Sequence, residues 1–142
     1  FLLTKPNVAI PEDSDEFSFN VSNQFKWPYQ VKRCINDLQL GADGIRNKDF
    51  NMRWLGAMVG DMHRIFCRGG LFGYPSQSNF PEGKLRLLYE ANPLALLVEN
   101  AGGKATSRGT RILDIAPTSL HQRVPVALGS NEPVEFYNNA ML

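Results

Sequence analysis

The sequence predicts an α/β fold: a layered domain with a mixed sheet of about five strands flanked by helices. Two observations point there. Segments with apolar residues at period two alternate along the chain with segments at helical spacing. Glycine and proline punctuate nearly every join between them. No internal repeat or low-complexity tract interrupts the pattern.

Taken in order, Phe1 to Thr4 reads as a strand ended by Pro6-Asn7, followed by an acidic loop over Glu12–Glu16. Phe17, Phe19 and Val21 alternate with Ser18 and Asn20 and predict a strand that turns Asn20 away from the apolar set. After Pro28, a first-turn proline, Val31, Ile35 and Leu38 fall on one helical face, closed by Gly41–Gly44. Arg46 to Asn51 is a polar connector. Leu55, Val59, Met62 and Phe66 recur at helical steps and predict a second buried face, stopped by Gly69-Gly70. Leu71 to Tyr74 is a short strand ended by Pro75, and Ser76 to Gly83 a loop. Asn92 is a candidate N-cap with Pro93 at the first helical position. Leu94, Leu97, Val98 and Ala101 would face the core, and Gly102-Gly103 would stop that helix. Lys104–Thr106, Ile112–Ile115 and Val124–Leu128 read as strands, the last at an edge or strand start because of Pro125. A final helix starts near Pro133.

At 142 residues the chain is one domain by length, with 43% apolar and 20% charged residues. No apolar run approaches the ~20 residues of a membrane span, and no leader is visible. A net charge of +1 argues against nucleic acid as a partner. The charge is unevenly placed: residues 1–20 carry a net −3 and residues 46–86 a net +4. A locally basic middle suits a small anionic ligand. Cys34 and Cys67 have no metal spacing; Cys67, beside Phe66, reads as a reduced core thiol and favours the cytosol.

The stretch from Gly83 to Pro93 concentrates the candidate chemistry. Lys84 and Arg86 precede a helix, and Glu90 lies at its entrance. Lysine and arginine bind phosphate esters through charge-assisted hydrogen bonds, and helix N-termini add N–H donors. A carboxylate beside that site would repel phosphate unless a divalent cation bridged them. A surface cluster of paired charges is the bland alternative. Arg53, ahead of a helix, is unfavourable to that helix's dipole and suggests another purpose. Tyr74 ends a strand with a hydroxyl available to a phosphate oxygen. Asp61 and His63 suggest an acid–base pair, yet residues two apart on a helix do not face each other. His121 has a structural default as well. No Ser-His-Asp order, Walker loop or GxGxxG is present.

Together, Phe1–Pro6, Phe17–Asn23, Asn51–Gly70, Leu71–Pro75, Gly83–Gly103 and Leu120–Ser130 resemble the C-terminal half of class I fructose-1,6-bisphosphatase. This family belongs to the lithium-sensitive sugar phosphatase superfamily. The pieces run nearly end to end in the right order, and the wording of Phe17–Asn23 and Asn51–Trp54 looks bacterial or plastid. The most specific pieces are Gly83–Asn92 and Leu120–Arg123.

The resemblance implies hydrolysis of the 1-phosphate of fructose 1,6-bisphosphate to fructose 6-phosphate and phosphate, a gluconeogenic step dependent on Mg²⁺, with Mn²⁺ or Zn²⁺ as substitutes. It places Asn20, Tyr74 and Lys84 at the 6-phosphate. Arg53 would reach that phosphate in a neighbouring subunit of a homodimer or homotetramer. Met58 would lie beside the sugar, Arg86 near the 1-phosphate and Glu90 at a metal. Trp54 stands where many members have a phosphate-contacting tyrosine, and Asn23 and Ala57 also depart from the common pattern. The resemblance makes residues 1–142 a C-terminal domain. The partner half, with its Asp-Pro-Leu-Asp-Gly-Ser segment and remaining metal carboxylates, is absent here, so this chain by itself is expected to be inactive. The cytoplasm, or a plastid, is the implied location. Sedoheptulose 1,7-bisphosphate as substrate and a non-catalytic phosphosugar-binding or assembly module are the alternatives.

Overall fold

The computed structural model describes residues 1–142. Its main sheet has six strands. They are β1 (Glu16–Ser18), β2 (Asn51–Met52), β3 (Leu71–Tyr74), β5 (Lys104–Ser107), β6 (Thr110–Arg111) and β8 (Val126–Gly129), in the spatial order β2-β1-β3-β8-β5-β6. β1 runs parallel to both of its neighbours, and the remaining pairs are antiparallel. β4 (Leu85–Arg86) and β7 (Arg123–Val124) form a separate two-stranded ladder.

Four helices cover the main sheet: α1 (Tyr29–Gln39), α2 (Met58–Arg68), α3 (Asn92–Asn100) and α4 (Asn131–Ala140). Successive residues of a strand point to opposite faces. Thus Leu71 joins a core with Val31, Ile35 and Leu38 of α1 and Val134 of α4, while Phe72 joins one with Met62 and Ile65 of α2 and Ala95 and Val98 of α3. The layered α/β fold with a mixed sheet expected from the sequence is the fold observed, with six strands in the main sheet in place of about five.

Several local expectations fail for visible reasons. Phe1 to Thr4 pairs with no strand, and its side chains are exposed. β1 ends at Ser18, and Val21 lies in a 3-10 turn over Val21–Lys26. All three β1 residues are buried because neighbouring strands flank it and helices cover both faces. α2 begins at Met58, and its buried residues are Asp61, Met62 and Ile65; Leu55 and Val59 face outward. α3 is entered through a π-helical turn, Leu87–Ala91, so Asn92 does not cap it, and Ala91, Ala95 and Val98 form its inner face while Leu97 is exposed. Ile112 to Asp114 is a 3-10 turn.

The expected strand Val124–Leu128 is two strands. Pro125 divides them, and there the chain passes from the small ladder to the main sheet. Gly83 backs onto this crossing with φ +88°, and a β-carbon on it would lie 2.2 Å from the Pro125 nitrogen. Only glycine fits both the angle and the approach.

Candidate phosphate cleft and its charge network

β3 carries Tyr74 to the end of the sheet, where Asn20, at the exit of β1, reaches the same edge. Trp54 follows β2. Its indole stacks on Phe72 with ring centroids 6.0 Å apart and 13° between planes, and it lies 6.2 Å from Tyr74. Asn20, Trp54 and Tyr74, with Trp27, Gly73, Pro75 and Gln77, meet around a narrow cleft that has no interior room for a water molecule, so any ligand would sit at its mouth. Gly73 allows this packing: a β-carbon on it would stand 1.9 Å from the Phe19 ring. The side chains of Asn20, Trp27, Trp54, Tyr74 and Gln77 make no hydrogen bond within the chain.

Lys84 stands beside the cleft. Its Nζ lies 5.8 Å from the Tyr74 ring centroid and 5.6 Å from that of Phe80, so two aromatic faces hold the ammonium. Six of the seven cations between residues 46 and 86 pair with carboxylates. Arg46 and Lys48 meet Asp13 at 3.0 and 2.5 Å; Arg53, Arg64 and Arg68 meet Glu16 at 3.8, 3.2 and 2.5 Å; Arg86 meets Glu90 at 3.5 Å. Lys84 alone has none.

Glu16 is 3% exposed and Asp61 is fully buried. Asp61 accepts from Arg64 Nη1 at 2.9 Å and from the Leu55 backbone N–H at 3.2 Å. Arg64 also donates to the Ser18 hydroxyl. Asp61 therefore pairs with Arg64, three residues on, while His63 is exposed. Arg53 does not open the helix, which starts five residues later; the half-exposed guanidinium is balanced by Glu16 instead of opposing a helix dipole. Met58 lies at the first position of α2, packed on the core formed by α2 and α3.

Glu90 lies in the π turn, a form often found at functional positions. One carboxylate oxygen accepts the Arg86 backbone N–H at 2.6 Å, and the other faces the Arg86 guanidinium. No group of three or more His, Cys, Asp or Glu side chains that could hold a metal ion is present. Cys67 is exposed, contrary to the core position expected; Cys34 is the buried thiol, pushed up to about 12 by burial and by the nearby Asp37 carboxylate. His121 Nδ1 lies 2.8 Å from the Tyr89 hydroxyl at the surface.

The structure thus brings Asn20, Trp54, Tyr74 and Lys84 together and pairs Arg86 with Glu90. Arg53 sits in the Glu16 network. Trp27 and Gln77, also on the cleft, carried no motif in the sequence.

Residues 10–142 match the family described as fructose-1-6-bisphosphatase, C-terminal domain. The chain belongs to this family. It is 67% identical over 134 residues to a class 1 fructose-1,6-bisphosphatase of Pseudoalteromonas translucida (strain TAC 125), and 57% identical over 137 residues to one of Pseudoalteromonas atlantica. These alignments cover 94% and 95% of this chain and 42% of each relative. The crystal structure of Leishmania major fructose-1,6-bisphosphatase in holo form superposes with a TM-score of 0.94 at 43% identity, covering 99% of this chain and 42% of that one. The chain therefore spans less than half the length of the relatives it matches. No helix is long and apolar enough to cross a membrane.

Proposed function

We propose that this chain is the phosphosugar-binding part of a fructose-1,6-bisphosphatase, which hydrolyses the 1-phosphate of fructose 1,6-bisphosphate to fructose 6-phosphate and phosphate in gluconeogenic carbohydrate metabolism. The observation that carries the reading is Lys84. It is the one cation of the basic middle with no carboxylate partner, held beside a cleft whose polar side chains lack partners. An anion with several acceptor oxygens satisfies both at once.

In this reading Lys84, Tyr74 and Asn20 hold the 6-phosphate, and the Trp54 indole adds an N–H where relatives of the resembled pattern have tyrosine. Met58 borders the sugar, and Arg86 lies toward the 1-phosphate. Arg53, with its half-exposed side chain, reaches the 6-phosphate of a neighbouring subunit in a homodimer or homotetramer. Fructose 1,6-bisphosphate is preferred over sedoheptulose 1,7-bisphosphate because the matched relatives carry the fructose name.

The family reading also calls for a divalent cation, Mg²⁺ with Mn²⁺ or Zn²⁺ as substitutes. The residues of this chain do not make such a site. Hard divalent cations take about six oxygen ligands, whereas Glu90 is a single carboxylate already facing Arg86. Glu90 is proposed as this chain's one ligand, and the remaining ligands as belonging to the part of the enzyme outside these residues. The bulk cytoplasm is the proposed location.

The test is binding of fructose 6-phosphate by isothermal titration calorimetry. Charge-assisted hydrogen bonds contribute about 1.5–3 kcal/mol, so Lys84→Ala should weaken binding at least tenfold. Equal affinity in the variant, or no binding by the unaltered chain, would reject the reading. In a phosphate-release assay with Mg²⁺ and fructose 1,6-bisphosphate, the 142-residue chain should match a Glu90→Gln control at background.

A further inference from the structure

Leu120–Arg123 is a specific stretch of the sequence with no role so far, and the fold lays it along the segment from Lys84 to Glu90. His121 Nδ1 lies 2.8 Å from the Tyr89 hydroxyl, and the Gln122 carbonyl accepts the Leu87 N–H at 2.8 Å. Arg123 reaches further back and donates through Nη1 to the Lys84 carbonyl. The position is a costly one for an arginine. In the ladder of β4 and β7, Arg123 lies directly opposite Arg86, and like charges facing each other across two strands are destabilising. Arg86 turns to Glu90, whereas Arg123 forms no ion pair. A neutral residue would complete the ladder without that repulsion.

We infer that Arg123 is a positioning residue: it fixes the main chain beneath Lys84, so that the ammonium is held at the mouth of the cleft. This rests on the proposed reading of Lys84 as the cation that meets the phosphate. The β4–β7 ladder has two residue pairs, and so short a ladder holds its register only with help. Part of the help is Gly83, seated at φ +88° on the Val124–Pro125 peptide. The rest is Arg123, whose bond to the next carbonyl along is charge-assisted and stronger than a neutral one. A guanidinium keeps its charge at every working pH, so titration does not loosen the tie. With its root fixed in this way, Lys84 lays its tip against the Tyr74 and Phe80 rings. A lysine restrained at both ends has less rotamer freedom to lose when an anion binds, which raises affinity with no new contact.

The experiment is a double-mutant cycle read by calorimetric titration with fructose 6-phosphate. Arg123→Met should weaken binding about fivefold on its own and cause no further loss in the Lys84→Ala background. Without ligand, ¹⁵N relaxation should show the Lys84 amide more mobile in Arg123→Met than in the unaltered chain. Unchanged affinity in a folded Arg123→Met variant would overturn the inference. So would an equal loss in the Lys84→Ala background, which would make Arg123 a phosphate ligand in its own right. Both outcomes leave the phosphate reading intact, because the unaltered chain binds in either case. Absence of any binding by the unaltered chain would overturn that reading and this inference with it. Where Arg123→Met folds poorly, the Arg123 Nη signals of the unaltered chain decide. A guanidinium tied to a carbonyl shows hindered rotation, and signals averaged by free rotation would overturn the inference.

Discussion

Replacing Asp61 by asparagine keeps the size of the side chain and removes one buried charge. In the native chain this carboxylate is fully buried and accepts from Arg64 at 2.9 Å and from the Leu55 N–H at 3.2 Å. Breaking a buried ion pair from one side costs about 3–5 kcal/mol when the other charge is stranded. Arg64 is not wholly stranded, because Glu16 remains 3.2 Å from its Nε and its side chain is 20% exposed. The expected loss therefore falls below that range, at about 2 kcal/mol. An unfolding entropy of about 2.1 cal/mol/K per residue turns that into a fall of roughly 7 °C in the melting temperature. Differential scanning calorimetry reads it directly. A double-mutant cycle with Arg64→Met should return a coupling of about 1 kcal/mol or more between the two positions. A fall under about 2 °C, or independent effects in the cycle, would refute the claim that Asp61 works through Arg64.

Two further outcomes are expected. In the native chain at pH 8, Ellman's reagent should titrate one thiol quickly, Cys67, and Cys34 only on unfolding, since Cys34 is buried with its thiol pushed up to about 12; two fast thiols would contradict the packing of α1. Burial pushes the Asp13 carboxyl up, but its hydrogen bond from Lys48, a backbone hydrogen bond and the charges of Arg46 and Lys48 outweigh that and hold it below the ordinary value of 3.8. A lowered carboxylate pKa means stability that is present above the unfolded value and lost as pH falls through the folded one. Asp13→Asn should thus lower the midpoint in urea slightly near pH 7, by under about 1 kcal/mol for a partly exposed pair, and the gap should close as pH drops below 3.8. A gap that persists at pH 2 would show that the effect is not electrostatic.

The layers of the fold were legible because α1 keeps a clean stripe: Val31, Ile35 and Leu38 are all buried, with Cys34 between them. α2 was misread for a definite reason. Periodicity sees hydrophobicity, and Leu55 and Val59 are hydrophobic, yet they face outward while Asp61 faces in. A carboxylate buried against an arginine breaks the apolar stripe. α3 fails in the same direction: the small Ala91 and Ala95 pack inside, where the helix lies close against its neighbours, and Leu96 and Leu97 are left outside. The first strand failed because a strand needs a neighbour, and nothing in Phe1–Thr4 states whether one is present.

The candidate site divides along a similar line. Lys84, Tyr74 and Asn20 were marked by residue type and by the resemblance, and the structure sets Tyr74 and Asn20 on one cleft with Lys84 beside it. What no local pattern could show is which cation is left over. Seven lysines and arginines in the middle of the chain gave a basic surplus, and the surplus was read as one anionic site. Most of it is consumed by the acidic first segment, for a topological reason. β1 lies between β2 and β3, so Glu16, opposite the first residue of β2, stands within reach of Arg53 just past that strand and beside the end of the helix entering β3, which carries Arg64 and Arg68. Asp13, just ahead of β1, takes Arg46 and Lys48 from the connector that leads into β2. Parallel pairing of distant segments makes these matches, and sequence separation hides them. Lys84 is free because it follows β3 on the far side of this network, at the antiparallel ladder of β4 and β7, where its ammonium lies against two aromatic rings and the Arg123 guanidinium bonds its carbonyl. The strand order, more than the number of positive charges, decides which cation of the basic middle is left without a carboxylate.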